Sequence, residues 1–370
     1  MRIAVTGTRG IPRIQGGVET HCEELFPRIV SLGADVTLYR RASYVEADNR
    51  IDSYKGVALA DIPTPRRKSF EAIIHTFRAV LTAKRSGADI IHIHAIGPAL
   101  LVPFARMLGL KVVMTNHGPD YDREKWGRLA KMMLRLGERF GTTSADAVIV
   151  ISRHIQNILA EKYGRTDTDL IFNGVPEPIL DSDTDYLTAL GLEPRKYVVA
   201  LGRFVPEKNF HLLAEAFSRL KPARYRLVIA GDADMPDRYS EELKENARRA
   251  GVVLTGFIKG KKLHQLMTHA RLFVLPSTHE GLPISLLEAM SYGLDVLVSD
   301  IAANKLPELE RSDYFRTSDI ESLIAALSRK LAEDLPPATD PTSRIRTYDM
   351  SAYDWDNIAR RTLEVYRRLI

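Results

Sequence analysis

The sequence predicts an α/β protein of two doubly wound, Rossmann-like parallel-sheet domains, joined by a linker and followed by a terminal helix. Three observations carry that expectation. Short apolar, β-branched runs alternate with amphipathic stretches along the chain, as parallel strands covered by helices on both faces require. The alternation stops over residues 176–196, a stretch rich in Pro, Asp and Thr, and then restarts. The 370 residues also suit two domains better than one core.

In the first half, strands are expected at RIAVTG, DVTLYR, VALADI, DIIHIHA, KVVMTNH, AVIVIS and DLIFNG, with helices near 17–32, 69–85, 125–140 and 153–163. The second half repeats the pattern at YVVALGR, YRLVIAGD, VVLTGF, RLFVLPS and DVLVSD. The chain closes on DWDNIARRTLEVYRRLI, where Ile358, Leu363, Tyr366 and Leu369 can share one helical face. The expected divisions are 1–172, 173–350 with the linker, and 351–370. In open sheets of this kind ligands bind beyond the carboxyl ends of the strands. Two facing domains would therefore form a cleft.

Composition narrows the function class. At 45% apolar and 27% charged residues the chain reads as soluble and globular. Its longest apolar stretch, 90–110, carries His92, His94, two prolines and Arg106, which suits a buried strand and helix and not a membrane span. Met1 leads directly into a strand, without a leader pattern. Cys22 has no second cysteine to pair with, so a reducing cytoplasm is the expected compartment. Residues 1–172 hold 25 Lys and Arg against 18 Asp and Glu, whereas 173–370 hold 27 against 29. A basic half can meet phosphorylated ligands or an anionic membrane. No nucleic-acid recognition motif accompanies it.

The stretch PSTHEGLPISLLEAMSYGLDVLVSD (276–300) carries the strongest chemical signal. Pro283 suits a first helical turn, Gly293 a C-terminal cap, and Glu280 and Glu288 stand about 12 Å apart at helical rise. Between them lies a helix N-terminus able to hold a diphosphate. HEGLP lacks the second histidine of a zinc motif, and DSDTD at 181–185 reads as turn chemistry. In GRFVPEKN, Arg203 and Lys208 emerge at the carboxyl edge of the same sheet. Two charge-assisted hydrogen bonds there, about 1.5–3 kcal/mol each, outweigh a helix dipole of about 0.3–1 kcal/mol. The opening loop, VTGTRGIPRIQGGVET, has Gly7 and Gly10 spaced like a dinucleotide-binding turn. Arg13 occupies the third glycine position, where a side chain spoils close helix packing. An NAD-dependent oxidoreductase is thereby disfavoured.

With these motifs in view, the chain resembles the family 4 retaining glycosyltransferases of GT-B fold. The glycine loop, GRFVPEKN, the E-x7-E segment, the following SDIAAN and the Trp-containing terminal helix carry the likeness. GTRGIPRIQGGVET with NHGPDYDREKWGRLAK is similar to a bacterial surface-polysaccharide subgroup that includes rhamnosyltransferases. The resemblance implies that Glu280 contacts donor-sugar hydroxyls, Glu288 the ribose, and Arg203 and Lys208 the leaving diphosphate. It implies that backbone N–H groups of Gly281, Leu282 and Ile284 hold the sugar and phosphate, that Gly16 and Gly17 approach the diphosphate, and that His117 lies near the reacting carbon. The terminal helix would return to the first domain. His94 and Asp120 are candidates for the acceptor cleft.

The resemblance further implies a nucleotide-sugar donor, a glycan or lipid-diphosphate-linked acceptor, and no cofactor or metal. A nucleotide-sugar epimerase of similar architecture is the alternative, and a non-catalytic nucleotide-sugar-binding protein a further rival. Finally, Lys125, Arg128, Lys131, Arg135 and Arg139 lie largely opposite Leu129, Met132, Met133, Leu136 and Phe140, a basic amphipathic helix suited to an anionic membrane face.

Overall fold

The computed structural model describes residues 1–14, 16–64, 71–122, 127–233, 236–333 and 343–370. They fall into two units, Met1–Gly174 with Ala352–Ile370, and Val175–Ser351.

The first unit runs β1 (Arg2–Thr6), α1 (Gly17–Ser31), β2 (Asp35–Arg41), β3 (Ser53–Tyr54), β4 (Val57–Ile62), α2 (Glu71–Arg85), β5 (Ile90–His94), α3 (Val102–Met107), β6 (Lys111–Asn116), α4 (Arg128–Ser144), β7 (Ala147–Val150), α5 (Arg153–Tyr163) and β8 (Asp169–Leu170). Its eight strands are ordered β3-β4-β2-β1-β5-β6-β7-β8, parallel except where β3 meets β4. The near-continuous apolar runs of β1, β5 and β6 are buried on both faces. The chain builds outward from β1 to one side, then returns to β5 on the other, so the switch point lies between β1 and β5.

The second unit contains α6 (Asp185–Ala189), β9 (Tyr197–Leu201), α7 (Phe210–Leu220), β10 (Arg226–Ala230), α8 (Arg238–Arg249), β11 (Val253–Gly256), α9 (Lys261–Thr268), β12 (Leu272–Leu275), α10 (Ile284–Ser291), β13 (Asp295–Ser299), β14 (Tyr314–Phe315) and α11 (Ile320–Ala332). The order β11-β10-β9-β12-β13-β14 places its switch point between β9 and β12. The acidic stretch before α6 makes turns and ties. Asp181 accepts from the Asp183 amide at 2.9 Å, and Asp183 pairs with Lys261 at 2.6 Å.

The terminal helix, α12 (Trp355–Arg367), belongs to the first unit. Asp354 caps it by accepting from the Asn357 amide at 2.7 Å. Trp355, Ile358, Leu363 and Tyr366 enter the same core as Cys22, Leu25 and Phe26 of α1. Burying such side chains contributes roughly 1.5–3 kcal/mol each.

Two local details differ from the expected pattern. Pro283 is the N-cap of α10, so the helix starts one residue later. Helix α4 makes its closest packing through small residues, and part of its apolar stripe stays exposed. A Cβ at Gly137 would stand 2.0 Å from the Ile96 carbonyl oxygen, whereas Leu129, Met132 and Leu136 are exposed. Lys125 lies outside the described residues.

Candidate functional site

The carboxyl edge of the second sheet gathers residues far apart in sequence. Strand β9 ends at Leu201 and β12 at Leu275, and their following loops are stitched together where the Thr278 amide donates to the Glu207 carbonyl at 2.8 Å. Lys208 ends a 3₁₀ turn over Pro206–Lys208, and Asn209 in left-handed conformation then opens α7. The Lys208 Nζ lies 2.7 Å from Glu280 Oε1, the two side chains only 18% and 12% exposed. Arg203 is half-buried on the β9 loop. Beneath the β12 loop, Ser299 Oγ donates to the Ser277 carbonyl at 2.5 Å, and Asn304 Nδ2 donates to the Ser299 carbonyl at 3.0 Å. The SDIAAN segment therefore buttresses this edge.

Glu280 and Gly281 precede α10, Leu282 is buried, and Ile284 is the first helical residue. Glu288 sits one turn further on, and burial pushes its carboxyl up to about 7. A desolvated carboxyl of this kind is well matched to ligand hydroxyl groups, which supply hydrogen bonds without a competing charge.

The corresponding edge of the first sheet is built differently. The loop after β1 passes so close to β5 that a Cβ at Gly7 would stand 2.1 Å from the His94 carbonyl oxygen. The loop is organised by Glu19, a residue that the sequence did not single out. Its Oε1 accepts from the Arg9 amide at 2.9 Å and from Thr8 Oγ1 at 3.1 Å. Gly16 leaves room for this carboxylate, since a Cβ there would fall 2.0 Å from Glu19 Oε2. Gly17 begins α1 with open space beside it. The only sequence signal for Glu19 is an acidic residue in a first helical turn.

Histidines fill the β1/β5 edge. His94 is fully buried, with Nδ1 3.0 Å from Nε2 of the half-buried His117. His21 Nδ1 meets Asn173 Oδ1 at 3.0 Å. His92 lies between Tyr366 OH at 2.6 Å and Thr115 Oγ1 at 2.7 Å, the structural role expected of a buried strand histidine. Burial lowers His21 to about 4 and His92 to about 3, and it holds His94 and His117 well below the ordinary range. All four imidazoles are neutral at pH 7. Asp120 begins a short 3₁₀ turn after His117. Beside that turn, Tyr121 and Tyr163 donate to the buried Glu138 at 3.1 and 2.8 Å.

Two family models match the chain, Glycosyltransferase Family 4 over residues 15–177 and Glycosyl transferases group 1 over residues 186–336. The chain is 25% identical to an alpha-maltose-1-phosphate synthase of Mycolicibacterium smegmatis, with both sequences covered in full. Among solved structures, sucrose-phosphate synthase from Thermosynechococcus elongatus aligns with a TM-score of 0.82 at 20% identity, over 100% of this chain and 98% of that one. Anabaena HepE in complex with UDP-glucose aligns over 100% of both chains, with a TM-score of 0.78 at 19% identity. The two matched domains fall one in each unit and leave out β1 and the terminal helix, while the solved structures align over the whole chain. The chain is a glycosyltransferase of GT-B fold belonging to family 4.

Proposed function

We propose that this glycosyltransferase moves a hexosyl or deoxyhexosyl unit, with retention of configuration and without a metal, from a nucleotide sugar to a glycan or lipid-diphosphate-linked acceptor in bacterial surface-polysaccharide synthesis. The observation that carries the reading is the Lys208–Glu280 pair at the β9/β12 edge, 2.7 Å apart and largely shielded from water. In this reading Glu280 accepts from donor-sugar hydroxyls while Lys208 and Arg203 neutralise the departing diphosphate. The backbone N–H groups of Gly281, Leu282 and Ile284 bind phosphate and sugar oxygens. Glu288 takes the ribose hydroxyls, and His117 offers an uncharged imidazole to a sugar hydroxyl. Gly16 and Gly17 admit the diphosphate, and His94 and Asp120 serve the acceptor side.

Charge stabilisation and positioning supply the catalysis, with the leaving phosphate assisting deprotonation of the acceptor hydroxyl. HepE, a neighbour in fold, was solved with UDP-glucose, which supports a nucleotide-sugar donor for this chain. A thermal-shift screen against UDP-, GDP- and dTDP-sugars tests the reading. The true donor at about 100 times its dissociation constant adds roughly 2.7 kcal/mol of stability. A chain unmoved by every nucleotide sugar contradicts it.

The acceptor reading extends to a cytoplasmic membrane face. Leu129, Met132 and Leu136 are exposed on α4 beside exposed Arg128, Arg135 and Arg139. Each basic residue near an anionic leaflet is worth about 1 kcal/mol. No helix among the described residues is long and apolar enough to cross a membrane, so the proposed attachment is peripheral. Flotation with phosphatidylglycerol vesicles checks it. Binding is expected for the native chain and lost in a Leu129→Asp/Met132→Asp double variant. A native chain that stays with the soluble fraction contradicts it.

A further inference from the structure

The loop-edge histidines of the first unit stand closer to one another than the transfer reaction requires. One nitrogen from each of His21, His94 and His117 lies within 4.8 Å of the other two. Among the described residues this is the one group of three or more histidine, cysteine or carboxylate side chains with metal-binding spacing. The three come from α1, the end of β5 and the loop after β6, which the sheet topology brings to a single edge.

We infer that His21, His94 and His117 bind a transition-metal dication, Zn²⁺ being the natural occupant, in a three-imidazole site with an open fourth position. Tetrahedral zinc with nitrogen ligands at about 2.0–2.1 Å requires N···N separations of roughly 3.3 Å. The 3.0 Å spacing of His94 Nδ1 and His117 Nε2 already approaches that value. With its Nδ1–H donating to Asn173 Oδ1 at 3.0 Å, His21 presents the Nε2 lone pair. This is the outer-shell arrangement that fixes a ligating imidazole.

The donor set excludes hard cations. Imidazole nitrogens favour zinc, nickel and copper, whereas magnesium and calcium take oxygen ligands. Three neutral ligands leave the ion's charge uncompensated, so the fourth position favours hydroxide or a phosphate oxygen. His117 is the least buried of the three. The transfer proposed above uses no metal, so the site is inhibitory. An ion on His117 fixes the ring that would otherwise adjust to a sugar hydroxyl. The binding step rests on the first unit alone, and its failure would leave the proposed transfer untouched.

The test is equilibrium dialysis of the full chain against Zn²⁺ at pH 7.5, with Co²⁺ as a spectroscopic reporter. One ion per chain is expected, with the intense visible bands of four-coordinate cobalt and no competition from Mg²⁺. His21→Ala and His117→Ala should each weaken binding at least tenfold, and Asn173→Ala about tenfold through His21. Circular dichroism melts establish that each variant is folded, and His21→Gln serves if the alanine variant is not. A native chain that takes up no stoichiometric Zn²⁺ overturns the inference. So does a folded variant at position 21 or 117 that keeps native affinity.

Discussion

The two units place different chemistry at the same topological position. At the β9/β12 switch point of the second unit, a lysine and a glutamate are held together at 2.7 Å on adjoining loops. At the β1/β5 switch point of the first, the chain places neutral imidazoles and a loop drawn in by Glu19. The doubly wound sheet thus specifies where a site lies, and the loop residues decide what it does. One edge carries formal charge suited to a diphosphate. The other turns its carboxylate, Glu19, inward to loop hydrogen bonds and presents neutral imidazoles.

The largest expected difference between the edges is their response to acid. His21 and His92 have folded values of about 4 and 3, below the ordinary value of 6.5. The unfolded chain therefore binds protons that the folded one refuses, and stability falls as pH drops from about 6.5 toward those values. Between pH 6.5 and 4.5 the loss is roughly 4 kcal/mol for the two together. Peptide-resolved hydrogen exchange, corrected for intrinsic rates, should show β1, β5 and α12 losing protection before β9 and β12. Equal loss in both units would erase the contrast.

Next comes the charged edge. Lys208→Ala or Glu280→Ala should lower kcat/KM for transfer on the order of 10²–10³-fold, with secondary structure retained by circular dichroism. Native rates in either variant would remove the pair from the reaction.

Glu288 gives a smaller effect with a distinctive sign. Because its folded value is raised to about 7, ionising it costs stability as pH rises from the ordinary carboxyl value of about 4.3 through 7. Glu288→Gln should remove that fall, on the order of 2 kcal/mol, and weaken donor binding. Melts of the two proteins at pH 5 and 8 measure it.

Smallest is the tie between the terminal helix and the histidine edge. Tyr366→Phe leaves His92 Nδ1 without its 2.6 Å partner, a loss of about 1–3 kcal/mol by denaturant unfolding.

Much of this architecture was legible in the sequence, because buried parallel strands announce themselves as apolar runs. Strands β3 and β14, two residues each, are too short to show a period. In α4 the amphipathic pattern was visible, but not that Gly137 and Gly141 would pack closely while Leu129, Met132 and Leu136 stay exposed. Residue types marked Lys208 and Glu280 as candidates. Their direct pairing across 72 positions follows only from the order of β9 and β12. His21 carried no local signal at all, since its neighbours come from β5, the loop after β6 and Asn173.

The central claim is that the charged edge of the second unit receives the donor. Hydrogen exchange of the full chain, with and without the nucleotide sugar selected by thermal shift, tests it most directly. New protection is expected over residues 202–209 and 278–288, lost in Lys208→Ala. Protection confined to the loops after β1 and β5, with 202–209 and 278–288 unchanged, would contradict it.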